Sequence, residues 1–295
     1  MKYTNKLGLP QAIVNAITND SYKSGSDCSV TQLTNSPRQF WLKKRHDNDI
    51  EVDVSSRIWA LFGTSVHHVL DASADENAHT EERLYVEVEG WKIGGKPDYF
   101  DEEKLQDYKV TSVWTVMFDS NKRDYVVQLN IYNYILSQHS YTSIKCLENV
   151  FILRDWHESQ AKRDSAYPQA NVHVVQQELW RVHDTVKLIT ERVKLFQAHE
   201  NTPDEQLPLC EPEERWAKQD KWALKKEGRK SAIKVCDSAE EANALLGQKH
   251  KGADSIEFRP GGDVKCQNYC DCKDFCSYYK ENYGTNNKFD FSVST

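Results

Sequence analysis

The chain has no run of apolar residues long enough to cross a bilayer, and its opening, Met1-Lys2-Tyr3-Thr4-Asn5-Lys6, lacks the apolar stretch of a secretory signal. The expectation is a cytoplasmic protein with no membrane partner. A cationic excess is also missing: 38 Lys and Arg face 45 Asp and Glu, a formal net charge of -7 at pH 7. Any contact with a polyanion must therefore come from local patches rather than bulk electrostatics. Glycine and proline are sparse, 12 and 8 of 295 residues, and no repeat or low-complexity tract stands out, which excludes fibrous and disordered classes. What remains is a globular composition, 39% hydrophobic, sufficient for one sizeable core with a smaller appendage.

Strand-period alternation marks three short segments, Leu84 to Val88, Ile93 to Phe100 and Leu105 to Val110, which predict three antiparallel strands. The last two form a hairpin. A turn at Asp101-Glu102-Glu103-Lys104 sets Asp98 directly opposite Asp107, with both side chains on one face. Opposed β-carbons lie ~5 Å apart, and two carboxylates at that separation destabilise a sheet unless a cation is held between them. A divalent ion fits that requirement. Lys109, two residues after Asp107, falls on the same face, while Tyr108 points the other way, into the core.

Upstream, residues 55–72 predict a helix with Ser55 or Ser56 as N-cap and Ile58, Leu61, Phe62, Val69 and Leu70 as its buried stripe. Ala60, Gly63, Thr64 and His67 fall on another face, small residues ending in one imidazole, as suits a helix that approaches a site closely. Downstream, residues 124–138 predict an apolar helix that presents Gln128 and Tyr132 together at i and i+4. Glu148 to Arg154 reads as a further buried strand. The order is helix, three strands, helix, strand, an α/β arrangement.

Four short patterns then coincide: Gly63 to His67 as G-x-x-x-H, Gly95 to Asp98 as G-x-x-D, Asp107 to Lys109 as D-x-K, and Gln128 to Tyr132 as Q-x-x-x-Y. Each is weak alone. In this order and at these separations they resemble the PD-(D/E)XK nucleases of the RecB-like branch, including phage and exodeoxyribonuclease VIII type exonucleases. Ser29-Val30-Thr31-Gln32-Leu33 with Ser36 to Leu42 resembles the helical segment that precedes the core there. The resemblance implies a restriction-endonuclease-like core in which His67, Asp98, Asp107 and the Tyr108 backbone carbonyl bind Mg²⁺ or Mn²⁺. It also implies that Lys109 activates or positions the attacking water, and that Gln128 and Tyr132 support the site. The implied activity is a metal-dependent deoxyribonuclease, an exonuclease acting at DNA ends in recombination or repair in a bacterium or phage-infected cell. Its implied partners are DNA and a single-strand annealing or recombination protein. The alternatives are an endonuclease of the same fold, or an idle nuclease core serving as a DNA-binding scaffold.

Three segments divide the chain: a helical amino-terminal segment over 1–54, the nuclease core over 55–200, and a basic, cysteine-rich module over 201–295 that packs back on the core. Two clusters are candidates for DNA contact, Arg38 with Lys43-Lys44-Arg45, and the run from Lys218 to Lys234 that includes Lys225, Lys226, Arg229 and Lys230, with Trp216 and Trp222 interleaved. The module ends in Cys266, Cys270, Cys272 and Cys276, a crowding that in a cytosolic chain favours metal ligation over disulfides. The resemblance implies a 4Fe-4S cluster held by three carboxy-terminal cysteines, matched by Cys266, Cys270 and Cys276, and by one nearer the amino terminus. Ser36 stands where relatives have that cysteine, so the fourth ligand is Cys28 or Cys272. Zn²⁺ is the alternative occupant, and thiols that bind nothing the third. Cys146, Cys210 and Cys236 read as ordinary thiols.

Overall fold

A computed structural model describes residues 1–19, 25–75, 77–141 and 144–284 as a mixed α/β protein; the last eleven residues of the expected cysteine-rich module lie outside the described residues. In chain order the first elements are β1 (Lys2–Thr4), α1 (Gln11–Thr18), β2 (Cys28–Ser29), α2 (Val30–Leu33), α3 (Pro37–His46), β3 (Glu51–Asp53) and α4 (Ile58–Asp71). The strands β4 (His79–Thr80), β5 (Leu84–Val88), β6 (Trp91–Gly95), β7 (Tyr99–Phe100) and β8 (Lys104–Thr111) follow, then α5 (Val113–Phe118), α6 (Arg123–Gln138), β9 (Cys146–Leu153), α7 (Glu158–Ala161), β10 (Val172–Gln177) and α8 (Val182–Ala198).

Two compact units divide the chain differently from the expected three segments. The first comprises Met1–Asn35 with Asn48–Thr202, and the second Ser36–Asp47 with Pro203–Thr295. The later boundary, between Thr202 and Pro203, falls close to the expected start of the carboxy-terminal module at 201, but α3 belongs with the carboxy-terminal residues rather than with a separate amino-terminal segment.

In the first unit a five-stranded sheet runs in the order β10-β9-β8-β7-β4. β8 and β9 are parallel, joined by a crossover through α5 and α6, and their ladder places Asp107 beside Asn149. The other pairs of this sheet are antiparallel. β5 and β6 pair antiparallel in a second, three-stranded sheet with β2. The segment expected as one strand from Ile93 to Phe100 is thus broken between sheets at Lys96-Pro97-Asp98, where Pro97 has no N–H to give a ladder. The hairpin register is nonetheless that of the 101–104 turn: Tyr99 faces Gln106 and Phe100 faces Leu105.

Buried residues on α6, among them Leu129, Ile131, Ile135 and Leu136, pack on the strands, and β8 alternates as its pattern requires, with Leu105 and Asp107 buried. Gly95 of β6 is close to α6: a Cβ there would lie 2.9 Å from Ile135 Cδ1 and 3.0 Å from Tyr132 Cδ1. By contrast α4 buries no residue, and Phe62 and Val69 of its expected stripe are 44% and 62% exposed. The helix rests against β8 and the short α1, which leave much of its apolar face open. Its start differs too. A 3₁₀ turn, Val54–Arg57, precedes it, capped by Asp53, whose carboxylate accepts from Ser55 N–H at 3.1 Å and Ser55 Oγ at 2.6 Å.

The second unit adds α9 (Pro212–Arg215), β11 (Ala217–Lys218), β12 (Lys221–Lys225), β13 (Lys234–Cys236), α10 (Ala239–Gly247), β14 (Ser255–Arg259), β15 (Gly262–Asp263), α11 (Val264–Asn268) and α12 (Ser277–Tyr283). A small sheet, β13-β12-β14, is covered by α10 around a core of Leu224, Cys236, Ala242 and Ala253. Ser238 caps α10 through Glu241 N–H. Asp263, 3% exposed, accepts from Arg215 at 2.9 Å, Tyr278 at 2.7 Å and Tyr283 at 2.9 Å, so its charge is fully partnered.

Candidate metal centre

Period-two geometry on β8 brings Asp107 and Lys109 to one face, and the ammonium of Lys109 lies 2.5 Å from Asp107 Oδ2. Asp107 is almost completely enclosed, and the same oxygen accepts from Asn149 Nδ2 at 2.9 Å. Burial raises its pKa above the ordinary aspartate value, with Lys109 pulling the other way. Lys109 also donates to Gln128 Oε1 at 3.3 Å, and Gln128 Nε2 donates to the Tyr132 hydroxyl at 3.1 Å. One turn of α6 therefore positions the amide and the phenol as a chain leading to the ammonium. Burial pushes the Tyr132 phenol up, so it stays a neutral hydroxyl.

Asp98 sits where β7 begins. Its Oδ2 accepts from Tyr108 N–H at 2.7 Å, and its Oδ1 lies 3.1 Å from His67 Nδ1. The other ring nitrogen of His67 is 3.1 Å from the Tyr108 carbonyl. Only a doubly protonated imidazole donates in both directions. The hydrogen bond to Asp98 accordingly raises the His67 pKa against the opposing effect of burial. Glu81 completes this side, 3.8 Å from His67 Nδ1 and ion-paired with Lys96. Among the described residues, His67, Glu81 and Asp98 offer donor atoms that all lie within 4.8 Å of one another. A carboxylate pair, a backbone carbonyl and an imidazole make a mostly hard donor set suited to Mg²⁺ or Mn²⁺. Beside it opens a cleft of about 480 Å³ lined by Gly63, Thr64, His67, Glu81, Lys96 and Asp98. Gly63 lines open space rather than a close approach of backbone, since a Cβ there would meet nothing within 4 Å.

The structure thus gathers His67, Asp98, Asp107, Lys109, Gln128, Tyr132 and the Tyr108 carbonyl around the start of β7 and the middle of β8. The Tyr108 ring is only half-buried, edge-on to His67 at 6.1 Å, and not in the core. Two participants went unread in the sequence. Glu81 lies on an irregular turn with φ of 51°, outside any periodic segment, and Asn149 reaches Asp107 only through the parallel crossover.

Arg38, expected as a DNA contact, points into the second unit. It is 3% exposed, and its guanidinium donates to the carbonyls of Leu207 and Pro208, to Cys276 Sγ and to Ser277 Oγ, so no donor edge faces solvent. Lys225 is turned onto Glu257 at 3.5 Å and the Lys230 carbonyl at 2.9 Å. Lys226, Arg229 and Lys230 stand exposed on the turn between β12 and β13. Cys266, Cys270, Cys272 and Cys276 line a single small cavity in the second unit, and so does Cys210. Cys270 is held down to about 7 by the thiol of Cys272, whose Sγ lies 3.6 Å away. Cys28 is buried on β2 of the first unit, where its thiol donates to the Ser29 carbonyl at 3.4 Å.

No protein-family profile matches this chain, and no curated protein matches it. Among solved structures it is similar to the crystal structure of SSO0001, at 18% identity and a TM-score of 0.41 over 66% of this chain and 85% of that one. It is also similar to an alkaline exonuclease from Laribacter hongkongensis, at 11% identity and a TM-score of 0.37 over 58% of this chain and 88% of that one. At these scores the functional reading rests on the geometry of the site itself.

Proposed function

We propose that the protein is a divalent-metal-dependent nuclease that hydrolyses DNA phosphodiester bonds at strand ends. The observation that carries this reading is the pairing of two adjoining groups: an oxygen-rich trio, His67, Glu81 and Asp98, beside an open cleft, and a buried carboxylate, Asp107, with an ammonium 2.5 Å away. Phosphodiester hydrolysis needs a nucleophile at neutral pH and stabilisation of charge in the transition state, and a bound Mg²⁺ or Mn²⁺ supplies both. His67, Asp98 and the Tyr108 carbonyl would hold that ion, with Glu81 and Asp107 completing the set. The residues themselves do the rest. Asp98 fixes the backbone of β8 by accepting from Tyr108 N–H. Gln128, oriented by Tyr132, holds Lys109 at the edge of the carboxylates, where its ammonium can orient a water or a phosphate oxygen. Asn149 keeps Asp107 from rotating away.

Among the described residues no element beside the cleft is shaped to enter a groove and read base edges, and the turn at Lys226, Arg229 and Lys230 is exposed and basic, as suits contact with a phosphate backbone; action at ends is therefore preferred to sequence-directed cutting. The deciding experiment is digestion of linear and covalently closed circular DNA, single- and double-stranded, with Mg²⁺, Mn²⁺ or EDTA. Progressive loss of linear DNA with survival of circles is expected. Rapid nicking or linearisation of supercoiled plasmid would move the reading to an endonuclease, and inertness with every metal would leave a DNA-binding scaffold.

A further inference from the structure

Five cysteines line one small cavity of the second unit, of about 30 Å³: Cys210, from the loop before α9, with Cys266, Cys270, Cys272 and Cys276 from the carboxy-terminal cluster. We propose that Cys210 is the fourth thiolate of an iron-sulfur cluster site completed by Cys266, Cys270 and Cys276, separate from the carboxylate centre. Position comes first. Cys210 Sγ lies 3.1 Å from Ser36 Oγ at the start of α3, and Cys276 Sγ accepts from Arg38, two residues further along, at 3.5 Å. Cys210 and Cys276 are thus both held at the start of α3, and all four thiols line the same cavity within the second unit.

Charge and spacing agree with this assignment. Arg38, Lys265 and Lys273 also line the cavity, and their cationic charge offsets that of a thiolate-bound cluster. A single tetrahedral zinc would draw its thiolates to about 3.8 Å from one another. Among the described residues no three of these sulfurs lie within 4.8 Å mutually; the trio that does is His67, Glu81 and Asp98. A wider set suits a cluster in which each iron takes one thiolate. Cys272 is the thiol that does come close, 3.6 Å from Cys270, which fits two ligands of one atom rather than of two irons. Cys272 instead stands in thiol contact with Cys270 and against the Gln39 carbonyl, the kind of neighbour that tunes a cluster without ligating it.

The test uses the full chain purified without oxygen and reconstituted with ferrous iron and sulfide, with iron, sulfide and zinc measured per chain alongside visible absorption. Wild type, Cys28→Ser and Cys272→Ser should carry equal iron and sulfide and the broad thiolate-to-iron absorption. Cys210→Ser should lose at least tenfold in iron. Because Ser36 Oγ is only 3.1 Å from the Cys210 sulfur, Ser36→Cys in the Cys210→Ser background should return the iron. Should Cys210→Ser prove insoluble, alkylation of the wild type decides: Cys210 should resist iodoacetamide until the cluster is stripped by a chelator. Wild-type iron in Cys210→Ser, iron loss in Cys28→Ser or Cys272→Ser, stoichiometric zinc without sulfide, or Cys210 labelling before stripping would each overturn the proposal.

Discussion

Asp107 is a buried carboxylate whose charge is answered by one ammonium and one amide. Its folded-state pKa is raised, so the stability it contributes is complete below the ordinary aspartate value near ~3.9 and is lost as pH rises through the raised value. At neutral pH the ionised group therefore costs stability in the metal-free protein. Asp107→Asn should abolish DNA cleavage while raising the metal-free melting temperature by about 2–4 °C, read by calorimetry in EDTA. Wild-type cleavage rates in that variant would remove Asp107 from the site. His67 titrates with the same sign for another reason. Its protonated ring bridges Asp98 and the Tyr108 carbonyl, so this stabilisation is complete below about pH 6.5 and fades as pH rises through the raised value. A metal needs the neutral ring, and Mn²⁺ affinity should tighten across that rise. Calorimetric titration giving one affinity from pH 6 to 8.5 would take His67 out of the ligand set. Lys109→Ala should retain Mn²⁺ affinity but lose most of its turnover.

At the level of elements, the site depends on how β6 meets α6. Gly95→Ala would place a methyl group 2.9–3.0 Å from Ile135 and Tyr132, and overpacking of this kind costs about 1–3 kcal/mol. The variant should melt lower and turn over more slowly, because displacing Tyr132 loosens Gln128 and hence Lys109, with DNA affinity unchanged. An undisturbed melting temperature would mean the strand and helix can part without strain. The same elements explain what was legible beforehand. Asp98 and Asp107 could be set opposite each other because a two-residue period and a four-residue turn determine register. Gln128 and Tyr132 could be paired because a helix repeats at four. The burial of α4 could not be read, since its apolar face depends on neighbours that the pattern does not encode. Glu81 comes from a turn in left-handed backbone, Asn149 from a crossover, and Cys210 from a loop brought beside Ser36 only by tertiary folding. Local periodicity carries no information on any of the three.

Across the whole molecule, a net charge of -7 leaves affinity for a polyanion to local features. Arg229→Ala with Lys230→Ala should weaken DNA binding uniformly across sequences and lower the slope of log affinity against log salt by about 2. An unchanged slope would make the β12–β13 turn an ordinary solvated surface. The second unit is assembled from two stretches of chain, with α3 made early and everything else after Pro203. Arg38 finds its partners at Leu207, Pro208, Cys276 and Ser277. On a ribosome adding about 5–20 residues per second, α3 is made roughly 8–35 s before Leu207 and Pro208 and roughly 12–50 s before Cys276 and Ser277. Through that interval the guanidinium, Phe40, Trp41 and Leu42, all buried in the finished protein, have no second unit to enter. The growing chain thus exposes an aromatic, basic helix until the rest of its own unit is made, and chaperone demand during synthesis should fall sharply only once the last cysteines have left the exit tunnel.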